Sequence, residues 1–430
     1  MTRSTVLLGF TSALALLASR QAPLAQSAAK PALIAKSSSD GAALSYKILQ
    51  LADLHFTGDP TFPCLNAPTT LAPEDTPCSE ALTTKFMDAL LDAETPDFVV
   101  FSGDNVQTLN VTNHQSAVDA FTQGVEARGI PYAVILGNHD DENGFPREEV
   151  MELVLQKNHT YAQRGPTTID GVGNYLLTVE APVNGAWGNA GAPVLQMYFL
   201  DSGGYPNATR YPNVTSKYDW IKDNQVEYYR TLSVAAQQNA SRASPDPAIM
   251  FFHIPLQEYD YTAAEASTTN GEKNENVSSS AIESSLFSAL VDRDEVKVTF
   301  AGHDHINEYC HKRQGIQLCY GGGTGFGIAY SAANFSRRAR VIEWSLNAQN
   351  ERTITSYKRL FAQMDEKHEE ETLFTQIPGG AGSSEDTVTT GPSGNSTSTT
   401  SGAPFGVKMD LATVLLVLLA IAFGAVSQLE

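Results

Sequence analysis

Five short segments, each closing an apolar run, carry the residue types that hold hard metal ions. They are LADLH (Asp53, His55), FSGDN (Asp104), LGNHD (Asn138, His139), FFHIP (His253) and AGHDH (His303, His305). Five of the nine histidines fall within them, a concentration that scattered core or surface histidines do not produce. Carboxylate oxygens with several imidazoles and no thiolate suit Zn, Fe or Mn and argue against a soft-metal or cluster site. Asn138 adds a neutral carbonyl oxygen, a ligand that brings no further negative charge. Singly, each residue has an ordinary explanation: a strand-end Asp or Asn caps a turn, and His253 behind Phe251 and Phe252 would be a satisfied core histidine. Those explanations would all have to hold independently, so the set reads as a metalloenzyme centre.

The elements that must position these residues alternate. KILQLA, DFVVFSG and YAVILG are apolar, β-branched runs, and SEALTTKFMDALLDAE and REEVMELVLQKN carry helical spacing. Later come VLQMYFLD, AIMFFH and VKVTFAG, with a helix pattern over 218–238. Continuous apolar strands belong to sheets covered on both faces, and strand–helix alternation predicts a layered α/β domain. Each ligand-type segment then lies where a strand meets a loop, the usual place for sites in such sheets. Asp53 and His55, two apart along a strand end, are expected to face one side, and His303 and His305 to enter one cleft. Gly103 pins Asp104, and Gly302 gives the backbone freedom before His303. The run GGGTGFG at 321–327 lacks the Lys-Ser/Thr of a P-loop and the dinucleotide spacing; it predicts tight turns beside the cleft rather than nucleotide binding.

The 430-residue chain is 42% hydrophobic with a formal charge of −20. Such acidity disfavours a nucleic-acid partner, whose phosphates are met mostly by Lys and Arg. Arg3 precedes an apolar stretch over 6–18, and Ala25-Gln26-Ser27 offers a cleavage site, so residues 1–27 read as a signal peptide. Residues 28–46 read as a polar lead-in, 47–361 as the ordered domain and 362–410 as a flexible stalk, rich in Ser, Thr and Gly. The apolar end, 411–430, reads as a glycolipid (GPI) attachment signal, with a single membrane helix as the alternative. Either would bring the protein to a membrane surface. Cys64, Cys78, Cys310 and Cys319 form two close pairs; of three possible connectivities, Cys64–Cys78 and Cys310–Cys319 are expected. Sequons begin at Asn110, Asn158, Asn207, Asn213, Asn239, Asn276, Asn334 and Asn395, in keeping with passage through the secretory pathway.

The blocks D-x-H, GD, GNH, H and GHxH occur here in the order found in the calcineurin-like metallophosphoesterases, which the chain resembles over about 48–341. It is similar, more narrowly, to the short purple-acid-phosphatase-like proteins of plants and fungi, through PCL at Cys64, FLDSG at Leu200, YDWIK at Tyr218, FFHIP, GHDHIN…YC and SRRARV at Arg337. That resemblance implies a four-layer αββα sandwich of two mixed sheets flanked by helices. It also implies two divalent or trivalent metal ions (Fe, Zn or Mn). Asp53, His55, Asp104 and His305 would hold the first; Asp104 as bridge, Asn138, His253 and His303 would hold the second. His139 would contact the substrate phosphate and help protonate the leaving group. Two cations about 3.5–4 Å apart suit in-line displacement at a phosphate ester.

One departure bears on the metal. The purple acid phosphatases carry a tyrosine three residues after the GD aspartate and Gly in place of His55; here the tyrosine position is Gln107. A ferric–tyrosinate colour is therefore not expected, and His55 makes a different, complete ligand set. The reading that follows is a secreted or surface-attached phosphatase acting on phosphomonoesters. The alternatives are a phosphodiesterase of the sphingomyelinase-like or nucleotide-cleaving kind, and a retired metallophosphoesterase serving as a surface binding module.

Overall fold

The computed structural model describes residues 30–69, 71–107, 114–240, 245–327, 330–332 and 334–376. In chain order its elements are β1 (Leu33–Ile34), β2 (Lys36–Ser37), β3 (Ala43–Leu51), α1 (Glu80–Glu94), β4 (Phe98–Ser102), α2 (His114–Arg128), β5 (Tyr132–Ile135), α3 (Arg147–Leu155), β6 (Tyr175–Glu180), β7 (Pro193–Phe199), α4 (Asp223–Asn239) and β8 (Ala248–Phe251). There follow β9 (Thr269–Asn270), α5 (Leu286–Arg293), β10 (Val296–Ala301), β11 (Cys310–Arg313), β12 (Ile316–Tyr320), β13 (Arg338–Asn347), β14 (Arg352–Leu360) and β15 (Gln363–Gln376).

Two mixed sheets result. One runs β1-β6-β7-β8-β10-β12-β11-β9, and the other β15-β14-β13-β3-β4-β5 with β2 added beside β3. Their facing sides share a core, and the period-two alternation of the strands explains how. In β8 and the residue after it, Ile249 and Phe251 join that shared core while Ala248, Met250 and Phe252 turn to the other face. There they meet Val226 and Tyr229 of α4 and Leu286, Phe287 and Leu290 of α5. On the far side of the other sheet, α1 buries Leu82, Phe86, Leu90 and Leu91, an i, i+4 stripe, and α2 buries Val118, Phe121 and Val125. The layers are helix, sheet, sheet, helix, as the resemblance implied.

β3, β4 and β5 are mutually parallel, as are β7, β8 and β10, so their C-terminal ends gather at common edges. The ligand-type residues of the five segments follow the C-terminal ends of β3, β4, β5, β8 and β10 within four residues. The expected helix over 218–238 begins later, at Asp223, because the Lys222 N–H donates 2.8 Å to the Gln225 side chain and caps it there. Residues 218–222 are thereby left as loop.

Both ends of the expected domain need correction. Residues 28–46 are not merely a lead-in: β1 pairs with β6, β2 with β3, and β3 itself begins at Ala43. Nor does the stalk start at 362, since Gln363–Gln376 pairs antiparallel with β14. Its acidic, mostly exposed side chains suit an edge strand that discourages further pairing. Cys64–Cys78 and Cys310–Cys319 are disulfide-bonded as expected. Asn158, Asn207, Asn213, Asn239, Asn276 and Asn334 are exposed. The signal region, Asn110, Asn395 and the apolar C-terminal stretch lie outside the described residues. Among the described residues no helix is long and apolar enough to cross a membrane.

Candidate metal centre

The segments after β3, β4, β5, β8 and β10 bring their ligand-type side chains together. Asp53, His55, Asp104 and His305 form one group, and Asp104, His253 and His303 a second. In each, one ligand atom per residue lies within 4.8 Å of the others, and every member is buried. Asp104 belongs to both. Its Oδ2 is 3.2 Å from His253 Nε2 and 3.8 Å from His55 Nε2, and its Oδ1 accepts from the His139 backbone N–H at 2.8 Å. His305 Nε2 stands 3.5 Å from Asp53 Oδ1.

The backbone achieves this differently from the strand alternation expected of Asp53 and His55. Both residues lie beyond the end of β3 and take left-handed conformations, φ 56° and 51°. Asp104 (φ 50°) and His303 (φ 77°) do the same. Non-glycine residues rarely adopt this region, and such strain collects at functional sites. Gly302 likewise serves differently from the reading above: it is His303 that carries the positive φ, while a Cβ on Gly302 would come within 3.1 Å of Asp53 Oδ2 and 3.2 Å of His253 Nδ1. The glycine run at 321–327 does pack against the ligand loops. Thr324 N–H and Gly325 N–H donate to the carbonyls of Ala52 and Asp53, and Gly323 N–H to that of His305.

The donor atoms fit metal ions. His253 Nδ1 donates to Ser102 O at 2.9 Å and His305 Nδ1 to Tyr330 O at 3.0 Å, which leaves each Nε2 as the ring atom turned toward the cluster. Asp53 Oδ2, Asn138 Oδ1 and both ring nitrogens of His303 are buried with no hydrogen-bond partner, a costly state unless another group satisfies them. His55 Nε2 and His305 Nε2 are 3.1 Å apart. Two nitrogens each about 2.1 Å from one cation stand about 3–3.4 Å apart, so this is ligand spacing.

Burial drives the His55 imidazole down to about 4 and His303 to about 3. It also lowers His305 strongly, with His55 adding to the effect. These rings are neutral at pH 7, the form that binds metal. Burial works against a charge on His253 too, but Asp104 outweighs it and raises that ring to about 9. Burial likewise opposes the Asp104 charge and is overcome by His253, His139 and His55, which hold the carboxyl well below its ordinary range. Asp53 is raised well above its ordinary value, by burial first and by the repulsion of Asp104.

Asn138 and His139 follow β5. Arg147 supports their loop from beneath, donating to the carbonyls of Leu136 and Gly137 while paired with Asp201. Asp140 accepts from the N–H groups of Gly137 and Val106. His139 is set at the rim, its side chain 30% exposed, with its ring edge-on to His55 at 5.2 Å. Gln107 is buried beside His55 and supplies no phenolate.

Several neighbours were not among the expected site residues, although Tyr218 opens the YDWIK stretch. Tyr330 stacks on His305 at 3.9 Å, Tyr218 meets His303 edge-on at 4.3 Å, and Tyr205 accepts from Asn138 Nδ2 at 3.2 Å. All three come from loops distant in sequence. Glu142, 2.9 Å from His139 Nδ1, was nearer to legible, three residues beyond the histidine.

Residues 46–307 match the family model of the calcineurin-like phosphoesterases. An Arabidopsis thaliana protein named probable inactive purple acid phosphatase 29 is 36% identical over 338 residues, 75% of this chain and 83% of its own length. Another from the same plant, probable inactive purple acid phosphatase 14, is 36% identical over 327 residues, 72% and 76% of the two chains. Phosphatase DCR2 of Saccharomyces cerevisiae is 34% identical over 336 residues, 73% of this chain and 54% of that one. With its ligand segments at five strand ends and these relatives, the chain belongs to the calcineurin-like phosphoesterase family.

Proposed function

We propose that this protein is a secreted, surface-attached phosphatase that hydrolyses phosphomonoesters at a two-metal centre. The observation that carries the proposal is the pair of buried ligand groups sharing Asp104. Asp53, His55, Asp104 and His305 would hold one ion; Asp104, Asn138, His253 and His303 would hold the other. Two bound cations (Fe, Zn or Mn) would supply Lewis acidity toward phosphoryl oxygens and would lower the pKa of water at the site.

The protein's own part is positional. The left-handed turns at Asp53, His55, Asp104 and His303 aim the ligands, and neighbouring backbone and side chains lock their rings. His139, at the rim and outside both groups, faces the place where a leaving oxygen departs and donates the proton it needs. Relatives carry the word inactive in their names; in this chain every ligand position is filled. Two disulfides and six exposed sequon asparagines support a secretory route, and the terminal stretches 1–27 and 411–430 supply the signal and the lipid attachment.

Metal analysis of the purified protein, paired with hydrolysis of p-nitrophenyl phosphate and its bis-ester, tests the proposal. Two ions per chain and faster cleavage of the monoester are expected. Preference for the bis-ester would make it a phosphodiesterase, and two ions with neither ester cleaved would make it a retired binding module. Release from cell surfaces by a phosphatidylinositol-specific phospholipase tests the anchor.

A further inference from the structure

The geometry points to Glu142 and Tyr205 as positioning residues that fix which atoms of His139 and Asn138 face the metal-ligand cluster. This inference rests on the phosphatase reading and deepens it. Glu142 spans two partners. Its Oε2 is 2.9 Å from His139 Nδ1, and its Oε1 accepts from the Tyr205 hydroxyl at 2.7 Å. The same hydroxyl oxygen accepts from Asn138 Nδ2 at 3.2 Å.

A carboxylate only accepts hydrogen bonds, and this fixes the direction of the chain. Tyr205 has one hydroxyl proton, and Glu142 takes it. Toward Asn138 the hydroxyl can then only accept, so it must meet the amide nitrogen. Asn138 Oδ1, buried and without a hydrogen-bond partner, is left as the atom for a cation. By the same logic His139 keeps a proton on Nδ1 toward Glu142, and Nε2 becomes the ring atom open to the cleft, from which a proton given to the leaving oxygen departs and at which the neutral ring then carries its lone pair. One acidic side chain and one phenol therefore set an amide orientation and an imidazole tautomer together.

The arrangement is held from several sides. Glu142 belongs to a short helical turn three residues past His139. Tyr205 comes from the loop between β7 and α4, where a Cβ on Gly204 would approach Asn138 Cα to 3.2 Å and where Asp219 N–H donates to Gly204 O at 3.0 Å. Its ring stacks beside that of Tyr218, centroids 6.1 Å apart and planes 25° from parallel, and Tyr218 abuts His303. Tyr205 is 46% exposed, so its removal leaves the core intact. Stacking keeps a phenylalanine ring in place at this position, which makes Tyr205→Phe a test of the hydroxyl alone.

The experiment uses the full chain loaded with zinc, which is diamagnetic. Histidine-selective 15N spectra, taken at a pH where the His139 ring has lost its second proton and with that ring assigned by its loss in His139→Gln, should show the Nδ1–H form in the parent and in Glu142→Gln, whose amide oxygen still accepts. In Glu142→Ala the Nε2–H form should appear. The kcat of Glu142→Ala should fall roughly 10–100-fold, the range for partners that orient a site's groups, with KM little changed. The loss should be larger for phenyl phosphate than for p-nitrophenyl phosphate, because the poorer leaving group depends more on a placed proton donor. Glu142→Gln should recover most of it. Tyr205→Phe should weaken one of the two zinc ions roughly 10–100-fold in chelator competition and leave the other unchanged.

An unchanged His139 tautomer in Glu142→Ala, an equal loss for both esters, or parental binding of both ions by Tyr205→Phe would overturn the inference. Should the parent bind both ions yet cleave neither ester, the phosphatase reading fails, and the tautomer and chelator measurements still decide the positioning.

Discussion

Replacing Gly103 by alanine tests how tightly the ligand loops are built. A Cβ at this position would lie 2.2 Å from His253 Nδ1 and 2.4 Å from Cγ, and the residue sits at φ 99°. Ordinary contact begins near 3.4 Å, so the imidazole would have to retreat about 1.2 Å, the shortfall between those two distances. His253 is fully buried and its Nδ1 is bonded to Ser102 O at 2.9 Å, which leaves it nowhere to go. Left-handed strain on a residue with a side chain costs about 1–2 kcal/mol and overpacking a filled core about 1–3 kcal/mol. The sum of about 2–5 kcal/mol corresponds to a Tm lower by ~3–7 °C for a domain of this size. A ring moved by about 1 Å also leaves the ligand position opposite Asp104, where such misplacement costs ~100-fold in rate.

Gly41→Ala is the control. Its φ is 68°, but nothing lies within 4 Å of the added carbon, so only the strain remains, about 1–2 kcal/mol, with metal content and turnover untouched. Differential scanning calorimetry with metal analysis on the two variants separates these cases. Gly103→Ala with parental Tm and metal content, or equal damage from Gly41→Ala, would refute the reasoning.

Three further outcomes are expected. His139→Ala should retain both metal ions and lose roughly 10²–10⁴-fold in kcat, since the side chain stands outside both ligand groups; loss of metal on elemental analysis would count against that placement. Replacing both Cys64 and Cys78 by serine, which opens a link of sequence separation 14, should lower stability by about 3 kcal/mol in urea unfolding and leave metal content unchanged. Arg313 holds the Glu265 carboxyl down to about 2, helped by Thr262. Because that folded value lies below the ordinary 4.5, the stabilisation is complete above pH 4.5 and fades as pH falls from there through 2. Arg313→Ala should therefore flatten the pH dependence of urea unfolding in that window. The effect is modest because both side chains are partly exposed, and an unchanged slope would exclude the pair as its source.

The ligand set was readable from the sequence because each member lies directly after an apolar strand, and short strand-end motifs survive as contiguous text. The layered fold followed from the same strands. What stayed hidden depends on contacts between distant segments. Left-handed backbone at Asp53, His55 and His303 is invisible where the residue is not glycine. Tyr205, Tyr218 and Tyr330 reach the site from loops whose sequences say nothing of where they fold back. Strands β13 to β15 escaped notice because charge masks them. Arg340 is fully buried there, its guanidinium satisfied by the carbonyls of Tyr320 and Glu308 and by Ser356. The acidic run after Phe361 becomes a strand only because β14 offers it an edge.

The shared carboxylate of Asp104 is the centre of the account, and elemental analysis of Asp104→Asn beside the parent addresses it most directly. Two ions per chain are expected in the parent and loss of both in the variant, because one residue serves each ligand group. A variant that keeps both ions, or a parent that binds none at saturating metal, would contradict it.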